Sequence, residues 1–145
     1  MTTLSPAVAF WCLVAMQAAH SAEESLTGFW RWFPVLTAGV ARLTGFFPVI
    51  TASRGQFIAA NVIIVLALSV VGAFFFMRRR WALRAAFIIG VAEVINGVYH
   101  VGATVVLGRY FPGAVSGIGL IIIGVLFLKV YAAREGTSTA GTSAP

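Results

Sequence analysis

Between Phe57 and Met77 the chain runs 21 residues without a charge, close to the ~20 that a helix needs to cross a bilayer. In hydrocarbon the backbone N–H and C=O groups find no water, so such a run must close its own hydrogen bonds as a helix. Three further apolar runs accompany it, giving expected spans at about 6–22, 57–77, 83–107 and 112–133. Composition agrees: 60% of the 145 residues are hydrophobic and 10% charged, against about 45–50% and about 25% in a soluble domain. The expected fold class is all-α: a polytopic membrane protein, one domain over residues 1–133 with four transmembrane helices. Residues 134–145, rich in Ser, Thr, Gly and Ala, read as a disordered tail.

From Ser25 to Gln56 the character changes. Phe29-Trp30-Arg31-Trp32-Phe33-Pro34 and Phe46-Phe47-Pro48 mix aromatics, arginine and proline, and Trp with Arg favours the headgroup level. Short interfacial helices are expected there, lying over the mouth of the bundle between the first two spans.

The net charge is +6, but the ten Lys and Arg are scattered at segment ends apart from Arg78-Arg79-Arg80 and Arg84. Cations so placed act as topology signals and headgroup contacts, and nucleic acid is not expected as a partner. With the Arg78 turn in the cytoplasm, six basic residues lie inside and four outside. That places both termini in the cytoplasm of a multi-pass cell-membrane protein. Met1 to Pro6 carries no basic residue and His20 would occupy the minus-three position of a cut after Ala22, so the first run is expected as a retained helix rather than a cleaved leader. A single cysteine, Cys12, excludes an intrachain disulfide.

The chain holds only four acidic residues, Glu23, Glu24, Glu93 and Glu135, and three lie in or against hydrophobic segments. Ionisable groups at membrane depth are costly and mark functional sites by default. His20 and Glu24 end the first span, Asn61 begins the second, and Asn96 and His100 sit where the third returns, so all fall in one leaflet. Helical phase points the same way. Offsets of three and seven residues come back to about 300° and 340° at 100° per residue, and both Gln17, His20, Glu24 and Glu93, Asn96, His100 have those offsets.

Two imidazoles and a carboxylate suit zinc, iron or manganese, with positions left open for chemistry. His20, Glu24 and His100 are the expected ligands of a divalent transition metal, with Glu93 as a further ligand or supporting partner. Glu23 is then the candidate general base, Asn61 or Asn96 can polarise a substrate carbonyl, and Tyr110 can donate a hydrogen bond. Polar side chains in membrane bundles often only bond across helices, at about 0.6 kcal/mol each. That reading suits Gln17, Asn61 or Glu93 alone. It does not suit His20, Glu23, Glu24 and His100 together, since such bonds scarcely offset the desolvation of two adjacent carboxylates.

His20-Ser21-Ala22-Glu23-Glu24, Asn96-Gly97-Val98-Tyr99-His100 and Arg109-Tyr110-Phe111-Pro112-Gly113 together resemble the HXXEE-domain family of small integral membrane proteins, over roughly residues 6–131. The resemblance implies the membrane architecture and gives weight to His20, Glu23, Glu24, Asn96 and His100, while supplying no reaction. Glu93 and Asn61 rest on position alone. The leading functional expectation is a membrane enzyme with a metal-supported or acid/base site, acting on a lipid-like or other apolar substrate. A small transporter or proton-coupled carrier, and a non-catalytic binding or assembly module, are the alternatives. Expected partners are membrane lipids, an apolar small molecule and a second copy of the chain.

Overall fold

The computed structural model describes residues 4–140, and side chains as far as Arg134. Helix α1 spans Pro6–Thr27, followed by a 3-10 turn at Phe29–Trp32 and by α2 (Phe33–Thr44), α3 (Arg54–Phe76), α4 (Arg80–Leu107) and α5 (Ala114–Ala140). Among the described residues there is no strand.

Local chemistry sets the ends of these helices. Ser5 caps α1 by accepting from the Val8 N–H, with Pro6 in the first turn, where its missing donor costs nothing. Ser53 and Gln56 close a reciprocal capping box at the start of α3. The tight α3–α4 connection passes through Arg78, a non-glycine residue at φ 58°.

Three helices, not the four expected, are long and apolar enough to cross a membrane: Arg54–Phe76, Arg80–Leu107 and Ala114–Arg134. They agree with a membrane location. The shortfall is α1, whose last three turns carry Gln17, His20, Ser21, Glu23 and Glu24 and so dilute its apolar run. Even so α1 reaches from one end of the bundle to the other. Its start, Ser5 to Ala7, lies beside Phe75, Phe76, Leu83 and Tyr131, and its last turn meets His100 of α4.

Helix α5 continues to Ala140, because an established helix gains one backbone bond for each residue it adds. The remainder of the expected tail, 141–145, lies outside the described residues.

Two clusters fill the interior. Toward the Arg78 end, Phe10, Leu13, Phe75, Leu120 and Phe127 form an apolar core with Ala82 and Ala86, and the Phe10 ring packs 5.4 Å from those of both Phe75 and Phe127. Helices α4 and α5 approach so closely that a Cβ on Gly97 would collide with the Gly117 carbonyl oxygen, the small-residue contact by which membrane helices gain van der Waals packing. At the other end Phe29, Phe57 and Phe111 form a second cluster, flanked by Trp30, Trp32 and Phe33. The helical structure expected between the first two spans is present as the 3-10 turn and α2. Helix α2 buries none of its residues and leaves Val35 and Leu43 exposed.

Candidate metal centre

Glu24 follows His20 by four residues on α1, so the two side chains share one face. Helix α4 brings His100 to the same point. Glu24 Oε1 lies 3.6 Å from His20 Nε2 and 3.2 Å from His100 Nε2, and the imidazoles meet edge to face with centroids 4.6 Å apart. His20 is 0% exposed, His100 1% and Glu24 6%, so water does not screen them.

The outer nitrogens of both rings are tied down. His100 Nδ1 makes a short hydrogen bond to the Pro112 carbonyl; a carbonyl only accepts, so the proton is on Nδ1. His20 Nδ1 lies 2.8 Å from Ser116 Oγ. With both Nδ1 atoms so engaged, the two rings turn Nε2 toward the same carboxylate oxygen. His20 Nε2 has no hydrogen-bond partner. Three ligand atoms thus converge on one buried point, where a cation could be held.

The spacing fits a cation. Ligands at about 2.0–2.1 Å in a tetrahedral shell stand roughly 3.3–3.5 Å apart, close to the 3.6 and 3.2 Å observed. The three ligand atoms all lie within 4.8 Å of one another, and among the described residues no other His, Cys, Asp and Glu converge in this way. His20, Glu24 and His100 thus form a group that could hold a metal ion. Metal-binding histidines usually donate their other N–H to an oxygen acceptor, and here the Nδ1 of each ring meets an oxygen, Ser116 Oγ and the Pro112 carbonyl.

A family model described as a protein of unknown function with HXXEE motif matches residues 11–128. The chain belongs to the HXXEE family. Comparison with curated proteins and with solved structures gave no match. In this HXXEE chain the motif reads His20-Ser21-Ala22-Glu23-Glu24, and the structure divides it between two tasks.

The first HXXEE glutamate, expected as a general base, is occupied elsewhere. Glu23 stands about 100° around α1 from Glu24 and meets the first turn of α5. Its Oε1 accepts from the Tyr110 hydroxyl at 2.6 Å and the Val115 N–H at 3.1 Å, and its Oε2 from the Ser116 N–H at 2.7 Å. Helix α5 opens after Pro112-Gly113 with no Ser, Thr, Asp or Asn in the capping position, so a carboxylate from another helix satisfies its free N–H groups. Tyr110 accordingly points at Glu23 and not at the histidines. Partial burial, and then the carboxylate it bonds, push the Tyr110 phenol above its ordinary value.

Asn61 and Gln17 form a separate chain along the α1–α3 seam. Gln17 donates to Ser21 Oγ at 3.3 Å, Ser21 to Asn61 Oδ1 at 2.8 Å, and Asn61 Nδ2 to the Phe57 carbonyl at 3.1 Å. The Asn61 amide is thus tied to both α1 and its own helix, with one Nδ2 hydrogen beyond these bonds. Glu93 is buried, outside the three-ligand group, with Oε2 unpartnered. Asn96, one turn along, is within hydrogen-bonding reach of the Glu93 carboxyl.

Sequence reasoning misses the groups that fix the histidines: the Ser116 hydroxyl, the Pro112 carbonyl and, beside them, Gly113. A Cβ on Gly113 would come within 2.7 Å of both His100 Nδ1 and His20 Cε1, at a φ of +86° that side chains rarely adopt. The Pro-Gly pair before the last helix is the available signal. The HXXEE site is also roofed: Phe29, Tyr99 and Phe111 place their ring centroids 5.0, 5.0 and 5.6 Å from that of His100.

Proposed function

We propose that this protein is a multi-pass cell-membrane metalloprotein and enzyme, with a divalent transition metal held by His20, Glu24 and His100 and an apolar or lipid-like molecule as substrate. Support comes chiefly from the two imidazoles, whose Nδ1 atoms are engaged by Ser116 and Pro112 while both Nε2 atoms face Glu24. A metal there would act as a Lewis acid or lower the pKa of a bound water, using the positions three ligands leave open. The chain's own groups orient and exclude. Phe29, Tyr99 and Phe111 keep bulk water from the centre, which strengthens every charge interaction inside it. Asn96 and Glu93, about one and two turns from His100 on the same face of α4, are the polar groups we assign to the substrate. Helix α1 is read as the fourth membrane helix, its polar last turns covered by α3, α4 and α5, with both termini on the cytoplasmic side.

A second reading, an imidazolium–carboxylate acid/base pair, is favoured by the 3.2 Å separation of His100 Nε2 and Glu24 Oε1, at the limit of a direct hydrogen bond. A proton-coupled carrier draws little support. The opposite half of the bundle is filled by Phe10, Leu13, Leu68, Phe75, Leu120 and Phe127, which offer no polar path.

Elemental analysis of the detergent-purified protein beside its His20→Ala/His100→Ala variant tests the metal, with thermal unfolding to establish that both are folded. Near-stoichiometric transition metal in the first and its loss in the second is the expected result. Absence of metal from folded wild-type protein would transfer the site to the acid/base pair.

A further inference from the structure

On the outside of the α1–α3 seam lies a groove of 480 Å³, within the range of small-molecule sites. Its walls are Ala18, Ala22 and Leu26 of α1 and Ile58, Val62 and Leu66 of α3, with Arg54 at one end. From Arg54 to Leu66 the helix advances about 18 Å at 1.5 Å per residue, so the groove is long and narrow. Helix α3 is among the three long and apolar enough to cross a membrane, and in a bilayer a groove on its outer side would face acyl chain.

The Arg54 end is cationic. The guanidinium carbons of Arg31 and Arg54 lie 5.5 and 5.7 Å from the centre of the Trp30 ring. Neither arginine has an acidic partner: among the described carboxylates, Glu23 caps α5, Glu24 faces the histidines and Glu93 is on α4. Arg54 at the end of the apolar channel, with Arg31 on the same indole, matches a ligand with an anionic head and a hydrocarbon chain.

We propose that the groove binds an anionic phospholipid, its phosphate between Arg31 and Arg54 and one acyl chain lying along α1 and α3. A free anion would leave the apolar walls empty, and a zwitterionic lipid carries an ammonium that opposes the two arginines. The site is distinct from the metal centre. Ser21 and Asn61, joined by their 2.8 Å hydrogen bond, line the groove, while His20 turns to the opposite side toward Ser116.

Native mass spectrometry of the full chain in detergent, offered phosphatidylglycerol and phosphatidylcholine in equal amounts, tests the proposal. Phosphatidylglycerol is expected to be retained roughly tenfold or more over phosphatidylcholine, since each basic side chain near a membrane surface contributes about 1 kcal/mol. Arg31→Gln/Arg54→Gln removes that preference, and Ala22→Phe, which fills the channel, removes retention of both lipids at unchanged metal content and unfolding temperature. Should Ala22→Phe not fold, Val62→Trp fills the same channel from the exposed face of α3. Equal retention of the two lipids by the wild type, retention unaffected by a folded channel-filling variant, or displacement of the lipid by inorganic phosphate would each overturn the proposal.

Discussion

The two ends of the bundle are held by different chemistry. At the Arg78 end, α1 meets α3 and α5 through Phe10, Leu13, Phe75 and Phe127, rings and aliphatic chains that ask nothing further of their neighbours. At the other end α1 meets α3, α4 and α5 through Gln17, His20, Ser21, Glu24, Asn61, His100 and Ser116. Of the described residues, the buried side-chain atoms without a hydrogen-bond partner are Gln17 Oε1, His20 Nε2 and Glu93 Oε2, on the polar stripes of α1 and α4. A structural polar cluster satisfies its members, because each unpaired buried group costs about 1–3 kcal/mol. One end is held by packing alone; the other carries the His20, Glu24 and His100 group that could hold a metal ion.

The contrast is broken most decisively at Glu24. Glu24→Gln keeps the shape but loses the charge that both imidazoles face, and metal content should fall from near one per chain to below about a tenth, while Ser116→Ala lowers metal affinity about tenfold. Phe127→Ala, at the apolar end, should cost about 3 kcal/mol in unfolding measurements through the cavity it leaves, with metal content unchanged. If it also emptied the metal site, the two ends would not be separable. Gly113→Ala should destabilise by about 2 kcal/mol, combining a strained φ with collision against both imidazoles, and should weaken metal binding as well. Glu23→Gln should cost about 1 kcal/mol by weakening the cap on α5 and leave the metal in place. Loss of metal there would return Glu23 to the centre. Smallest is Ser21→Ala, at about 0.6 kcal/mol, read as a slight fall in unfolding temperature.

Much of this architecture is legible in the sequence. A 21-residue uncharged run has one solution in lipid, and offsets of three, four and seven put Gln17, His20, Glu24 and Asn96, His100 on their faces. Periodicity gives a face but not what the face meets. The spacing therefore brings His20 and Glu24 together, and the return of the third span brings His100 near, yet nothing local tells Glu23 from Glu24. Their difference depends on α5, more than 90 residues away. The same limit hides the Pro112 carbonyl and the Ser116 hydroxyl as anchors of the two rings. Helix α1 is overread for another reason: its first turns are as apolar as those of a membrane helix, but the polar residues of its last three turns leave it short of the apolar run that a crossing needs.

Glu23 reaching across to the first turn of α5 makes the order of the centre a property of the packed bundle and not of α1 alone. The Ser116 hydroxyl and the Pro112 carbonyl beside the two imidazoles lie in α5 and the turn before it, and the Val115 and Ser116 N–H groups that Glu23 accepts from belong to the same helix. Loosening of α5 at its first turn would therefore release His20, His100 and Glu23 together.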